Sequence, residues 1–373
     1  MVRMTVKAIV SRARRPKSCN QVRGTCGARK FWSIGGLRAF CRLIILAAMC
    51  WPALLSASES QELISKPLQR VLFLISRGSS NYSQIVTAGS HALAEHVDIT
   101  TVDLSENPEK LRQQLSLNPP ELVVTVGTAA AEMLYKELFA RDSSVSPPHT
   151  VLSTLLTRSA YQVFTQRYPG LEDAKHTAVV AQFIDQPLTR QLQLAKLLRP
   201  EAETAALLVG PANKIDTGAL QALSESLSLQ LEPVSLSAED NPIRKIQPAL
   251  AANELFIPIA DSRQFNSATS RWVLQLSYRY RRPVVAFSAS YVAAGALAAV
   301  HTSANNVASQ VATSLSEWQK SGFPAQGYQC GPDLFSLTFN PATAAALGIN
   351  LLDESYYRGE LERSIDGGGD ETR

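Results

Sequence analysis

The residue types that carry most enzyme chemistry are present in this chain, but not at spacings that would make them work together. Five histidines, His91, His96, His149, His176 and His301, are scattered, and none sits in an H-E-x-x-H pair that would set two imidazoles on one helix face for a metal. There is neither a G-x-S-x-G nucleophile turn nor a Walker phosphate loop. Gly78-Ser79-Ser80 follows the apolar run Val71–Ile75 and precedes a helical segment, the place where a dinucleotide cradle carries G-x-G-x-x-G. One glycine does not make that cradle. The chain therefore reads as a non-enzyme with no cofactor.

Small and hydroxylated residues instead recur where an apolar run gives way to a helix. They are Ser76-Arg77-Gly78-Ser79-Ser80-Asn81-Tyr82, Gly127-Thr128-Ala129 and Ser153-Thr154 in the first half. The second half has Gly210-Pro211-Ala212-Asn213, Ala260-Asp261-Ser262 and Ser288-Ala289-Ser290. In open α/β sheets, ligands bind beyond the carboxyl ends of strands, where helix N-termini direct N–H groups outward. A carboxylate suits the Ser79/Ser80 and Thr128/Ala129 turns, and Asp261 suits an amino group. Each position also has a plainer role: serine and threonine before a helix are ordinary caps, each worth about 1 kcal/mol. Asp261 can cap in the same way, Ser288 likewise, and Tyr82 is either a core ring or one that stacks on a ligand.

These turns need elements to hold them. After Pro67, β-branched runs of about five residues alternate with helix-period segments of 10–15, the signature of βαβ units and a parallel sheet. One set runs from Val71–Ile75 through Leu122–Val126 to Thr150–Leu156. The pattern restarts at Thr177–Ile184 and continues through Ala205–Val209, Leu231–Leu236, Leu255–Ile259 and Pro283–Phe287. Two sets of similar size predict two α/β lobes, residues 67–176 and 177–300, with a hinge at Lys175–Thr177. The stretch from Pro283 to Val300 lacks charge but is interrupted by Ser288, Ser290 and Gly295, so it reads as a buried strand and not a membrane span. Trp272 and Trp318 fall in helical segments and read as packing. The tail 353–373, with Gly367-Gly368-Gly369 and alternating charge, is expected to be disordered.

Charge excludes another class. The chain carries 36 Lys and Arg against 32 Asp and Glu. Residues 1–58 hold eleven of the basic residues and no acidic one, which leaves 25 against 32 in the rest, a net of −7. Phosphate binding needs basic groups clustered on the folded surface, so a nucleic-acid partner is not expected. Arg38 and Arg42 precede the apolar run Leu43–Leu55, and Ser56-Ala57-Ser58 follows. That is the layout of an export signal. Thirteen residues span roughly 20 Å as a helix, short of the ~30 Å hydrocarbon core; a retained anchor is the alternative. Four of the five cysteines lie in this leader and only Cys330 follows it, so the rest of the chain cannot form an internal disulfide.

From Val71 to about Leu351 the chain resembles the substrate-binding proteins of ABC transporters with the type I periplasmic fold, in the branch of tryptophan and related aromatic amino-acid receptors. The resemblance rests on Gln186-Pro187 through Leu198-Arg199-Pro200, Ala206–Pro211, Phe256–Asp261, Tyr291–Ala298 and Asn340–Ile349, taken in order. It implies two Rossmann-like lobes joined by a multi-strand hinge. Segment 304–326 would return to lobe 1 and 331–352 to lobe 2, with crossings near Lys175–Thr177, His301–Ser303 and Gly327–Cys330. The implied partners are a small ligand and an inner-membrane permease with ATPase subunits, in the periplasm; a sensory protein signalling to a membrane partner is the alternative. Ligand-facing residues carried over are Ser79, Ser80, Thr128, Ala129, Asp261 and Ser288. The chain departs from the family at Thr157-Arg158, where Asp-Pro is usual, and at Thr177-Ala178-Val179, where Thr-Gly-Val is usual.

Overall fold

Strand β1 (Arg70–Ile75) is buried over its last five residues, as an unbroken apolar run must be when helices cover both faces of a sheet. The computed structural model describes residues 68–367 except 107–108, 140–145, 175, 212, 214, 238 and 262–266. The leader, its export signal and Lys175 of the expected hinge lie outside the described residues. After β1 come α1 (Ser80–Ala92), β2 (Asp98–Asp103), α2 (Glu109–Leu117), β3 (Leu122–Val126), α3 (Thr128–Phe139), β4 (Thr150–Leu156), α4 (Arg158–Arg167) and β5 (Ala178–Phe183). Next are α5 (Leu188–Leu198), β6 (Thr204–Val209), α6 (Thr217–Leu227), β7 (Gln230–Ser235), α7 (Pro242–Ala252), β8 (Leu255–Pro258), α8 (Ser267–Tyr280), β9 (Val285–Ala286), α9 (Ala289–Ala293) and β10 (Ala298–His301). The chain closes with α10 (Ala304–Ser321), β11 (Gln329–Cys330), β12 (Ser336–Phe339), α11 (Pro341–Leu347) and α12 (Glu354–Gly367).

The first sheet has the order β2-β1-β3-β4-β5-β11, all parallel. The second runs β7-β6-β8, joined through a parallel bridge from Phe256 to Val284 to β9-β10-β12. Only β12 is antiparallel there. The two lobes thus repeat one order. Alternation along each strand sends neighbouring side chains to opposite faces. Val71, Phe73 and Ile75 meet Ile85 of α1 and Val311 of α10 on one face. Leu72 and Leu74 meet Leu111 of α2, Leu134 of α3 and Phe164 of α4 on the other. In the second lobe, Leu207 and Ile257 face Leu192 of α5 and Leu220 of α6, while Leu208 and Phe256 face Ile246 of α7 and Val273 of α8.

Three expectations need correction. Strand β5 pairs with β4, Thr150 opposite Ala178, so it closes the first sheet and does not open the second; the first crossing is at Ile184–Pro187, beyond Lys175–Thr177. Likewise β11 pairs with β5, which moves the third crossing from Gly327–Cys330 to Gly331–Phe335. The tail from Asp353 is not disordered throughout: Glu354–Gly367 is a helix, with Tyr357 and Leu361 buried in the core of the second lobe. Of the two tryptophans, Trp318 is buried, whereas Trp272 on α8 is 40% exposed. Among the described residues no helix is long and apolar enough to cross a membrane.

The crossings are tied to one another. Gln186 donates from Nε2 to Thr302 Oγ1 at 2.7 Å and to Leu334 O at 3.0 Å. Thr302 Oγ1 donates to Ile184 O at 2.8 Å, and Ser336 Oγ to Ser303 Oγ at 3.0 Å. The chain leaves lobe 1 from the carboxyl end of β5 and leaves lobe 2 from the carboxyl end of β10. The carboxyl edges of both sheets are therefore turned toward the crossings.

Candidate functional site

A parallel sheet opens a crevice where two neighbouring strands send their following helices to opposite faces. In lobe 1 that point lies between β1 and β3, because α1 and α3 belong to opposite cores. In lobe 2 it lies between β6 and β8, with α6 and α8 on opposite faces. Six of the seven candidate residues lie at these two points; Ser288 follows β9 and does not. Ser79 and Ser80 begin α1, and Thr128 and Ala129 begin α3, where Ser80, Thr128 and Ala129 are exposed.

Ser79 occupies the cap position of α1 but its side chain makes no capping bond, so the first-turn N–H groups have no side-chain acceptor from it. For α3 the cap is supplied from β1: Ser76 Oγ accepts from Ala130 N at 2.9 Å and donates to Val126 O at 3.2 Å. Gly127 joins these turns with φ of 95°. Tyr82 is half-buried, with its ring over Gly127, where an added Cβ would stand 2.9 Å from Cε1. The ring therefore forms one wall of this crevice.

Asp261 follows β8 and is only 4% exposed. Its carboxylate lies over Gly210, where a Cβ would come within 2.4 Å of Cγ. Asn213 Nδ2 donates to Ala260 O at 2.8 Å and to Asp261 Oδ2 at 3.3 Å, tying the turns after β6 and β8 together. Ser288 takes its plainer role, its Oγ accepting from Tyr291 N at 3.3 Å to cap α9.

Sequence reasoning noted Ser153-Thr154 and Thr157-Arg158 at the end of β4 but did not count Thr157 or Arg158 among the ligand-facing residues. Leu155 adopts φ of 53°, and the pairing with β5 slips between Ser153 and Leu156. A branched side chain in the left-handed region is costly and is retained where surroundings enforce it. The distortion delivers Thr157, which accepts from Ala160 N at 3.2 Å as the cap of α4. It also delivers Arg158, whose guanidinium lies 4.4 Å above the Phe183 ring and reaches Gln329 Oε1 at 3.5 Å. Arg158 N donates to Asp185 Oδ2 at 2.6 Å. The pattern that could have revealed this site is a threonine ending an apolar run three residues before Ala160.

Burial holds the Asp185 carboxyl above its ordinary range, opposed by the bond from Arg158 N and the Arg158 charge. A raised carboxyl pKa means that the folded state holds the proton more tightly, so stability is lost as pH rises above the unfolded value of about 3.9. Asp185→Asn keeps an acceptor for Arg158 N without the charge. Its melting temperature is expected to gain on that of the parent as pH climbs from 4 to 7; a gap independent of pH would contradict this electrostatic account.

Arg190 of α5, 7% exposed, bonds to the Gln186 side chain and lies 4.8 Å from the Phe335 ring. Arg358 faces that ring at 5.1 Å and donates to Phe335 O at 3.2 Å. Phe335, on the third crossing, is thus contacted by two guanidiniums. Among the described residues no group of three His, Cys, Asp or Glu is arranged to hold a metal.

No protein-family model and no curated protein matches this sequence. Solved structures do. The ligand-free, open structure of a substrate-binding protein with adhesive properties from Clostridium difficile aligns over 77% of this chain and 97% of its own, at 14% identity and a TM-score of 0.55. A conserved domain protein from Vibrio cholerae aligns over 78% and 98%, at 14% identity and a TM-score of 0.49. An ABC domain from Streptococcus pneumonia in complex with L-Trp aligns over 80% and 99%, at 18% identity and a TM-score of 0.48. The repeated strand order, the triple crossing and the likeness to the Clostridium protein identify the architecture: two Rossmann-like lobes in the type I periplasmic-binding fold.

Proposed function

We propose that this chain is an exported solute receptor whose lobes close on a small zwitterion such as an amino acid, for delivery to an inner-membrane permease. The observation that carries the reading is the pairing of opposite chemistries at the two switch points. Lobe 1 offers the open first turn of α1 and the exposed start of α3 at its switch point, with the Arg158 guanidinium after the neighbouring strand β4, groups suited to a carboxylate. Lobe 2 offers the Asp261 carboxylate beside Asn213, suited to an ammonium group. Tyr82 adds an aromatic wall. Ligand contacts to both lobes would favour closure by their differential affinity for the closed state. The periplasmic location rests on the leader's composition together with the fold.

The test is a thermal-shift screen of the purified protein against amino acids, organic anions, nucleosides and short peptides. A bound ligand at a hundredfold excess over Kd adds about 2.7 kcal/mol. The expected result is a shift with free amino acids that is lost when either the carboxylate or the amino group is blocked. Asp261→Asn is expected to weaken binding at least ~tenfold, the order of one charge-assisted hydrogen bond. A shift with sugars or nucleosides alone would sink the zwitterion reading. Unimpaired amino-acid binding in Asp261→Asn would remove Asp261 from the site.

A further inference from the structure

Lobe 2 carries a second cavity whose walls all belong to that lobe. It occupies about 1380 Å³ between α8, α9 and α11, above the ~300–1,000 Å³ usual for small-ligand pockets. Its apolar lining includes Leu274, Val284 and Leu347, and its cationic lining is Arg271, Arg281 and Arg282. None of these arginines is in an ion pair among the described residues.

Two further observations mark the cavity as more than a gap in packing. Tyr291 lines it at 5% exposure, its buried hydroxyl without a partner at hydrogen-bond geometry and with only the Ser270 side chain to influence it. A buried polar atom without a partner forfeits the hydrogen bonds it would make to water. Arg281 adopts φ of 52° at the end of α8. There Arg281 N donates to Tyr278 O and Arg282 N to Ser277 O, at 3.2 and 2.9 Å, a helix ending that normally takes glycine. The left-handed conformation turns the arginine toward α11, where its guanidinium donates to Ala346 O at 3.3 Å. A strained arginine where glycine would be relaxed is the kind of outlier that accompanies binding.

We propose that this cavity binds an organic anion with an extended apolar body, its acidic head at Arg271, Arg281 and Arg282 and a hydrogen-bonding group within reach of the Tyr291 hydroxyl. The site is separate from the interlobe crevice, and Ser288, which caps α9, stands at its border. A compact amino acid would leave most of the volume unfilled. A bare inorganic anion would use the arginines but not the apolar lining.

Isothermal titration with dodecanoate, dodecyl maltoside and inorganic phosphate separates these chemistries. Dodecanoate is expected to bind saturably and at least ~tenfold more tightly than the uncharged maltoside, with no saturable binding of phosphate. Arg281→Gly is expected to raise the melting temperature, since glycine relaxes the turn, while lowering dodecanoate affinity by about tenfold. Arg271→Gln tests the charge where no turn is strained and is expected to weaken dodecanoate in the same direction. Asp261→Asn, in the crevice, is expected to leave dodecanoate binding unchanged. Equal affinity for dodecanoate and the maltoside, phosphate binding as tight as dodecanoate, or indifference to both arginine changes would each overturn the proposal. So would a loss of dodecanoate binding in Asp261→Asn.

Discussion

Gly127→Ala is expected to cost about 2–3 kcal/mol of stability, roughly 1–2 for forcing a side chain into positive φ and about 1 for the hydrogen bond that must give way. The residue has φ of 95°, and an added Cβ would lie 2.6 Å from Ser76 Oγ and 2.9 Å from the Tyr82 ring. Ser76 cannot move aside freely, because its hydroxyl is bonded to both Val126 O and Ala130 N. Displacing it unlatches the start of α3, and displacing Tyr82 shifts the start of α1. Both helix N-termini assigned to the ligand carboxylate would therefore move together. Gly348→Ala is the control, with φ of 71° and open space around the added atom; it isolates the backbone strain, about 1–2 kcal/mol. Denaturant titration of the two variants should show the larger midpoint shift for Gly127→Ala at unchanged slope. Equal shifts would mean that the crowding beneath Tyr82 is relieved without cost.

That glycine shows what could be read from residue order. Gly127-Thr128-Ala129 ends a fully buried strand, and a small residue before a helix start is visible as a turn. The same reasoning located Ser79, Ser80 and Asp261, because a strand ending and a helix beginning are both local events. Sheet membership is not local. The run at Ala178–Phe183 reads identically whether it closes one sheet or opens another, and only its pairing with β4 decides. Roles within a turn are equally hidden. Ser76 caps a helix that starts 52 residues later in the chain, and Arg158 comes to lie over Phe183 just after β4 slips register at Leu155. The cavity beside α8 depends on three helices from separate stretches of the chain, so no local pattern announces it.

Ending the chain at Asp353 is expected to have the largest effect on stability, and it decides between a dispensable tail and a structural helix. Glycine and alternating charge hide the apolar pair at positions 357 and 361, one helical turn apart. Leu361 is fully buried, and Tyr357 lies 5.0 Å from Phe339 between ring centroids and accepts from Leu352 N at 3.2 Å. Leu361→Ala alone is expected to cost about 2–5 kcal/mol. Removing the helix also strips Tyr357 and uncovers the core face shared with α5 and β6, for a loss of more than ~5 kcal/mol by the same scale. A melting temperature unchanged by the truncation would return residues 354–367 to the status of a free tail. The helix also reaches the hinge, since Arg358 holds Phe335 on the third crossing from one side while Arg190 faces it from α5. Arg358→Ala leaves Tyr357 and Leu361 in place. It is expected to cost under ~1.5 kcal/mol, the scale of one net hydrogen bond, yet to change the ligand affinity of the crevice. Leu361→Ala should do the reverse, lowering stability with little effect on affinity. That split would make Arg358 a hinge contact and Leu361 a core residue, one turn apart on the same helix.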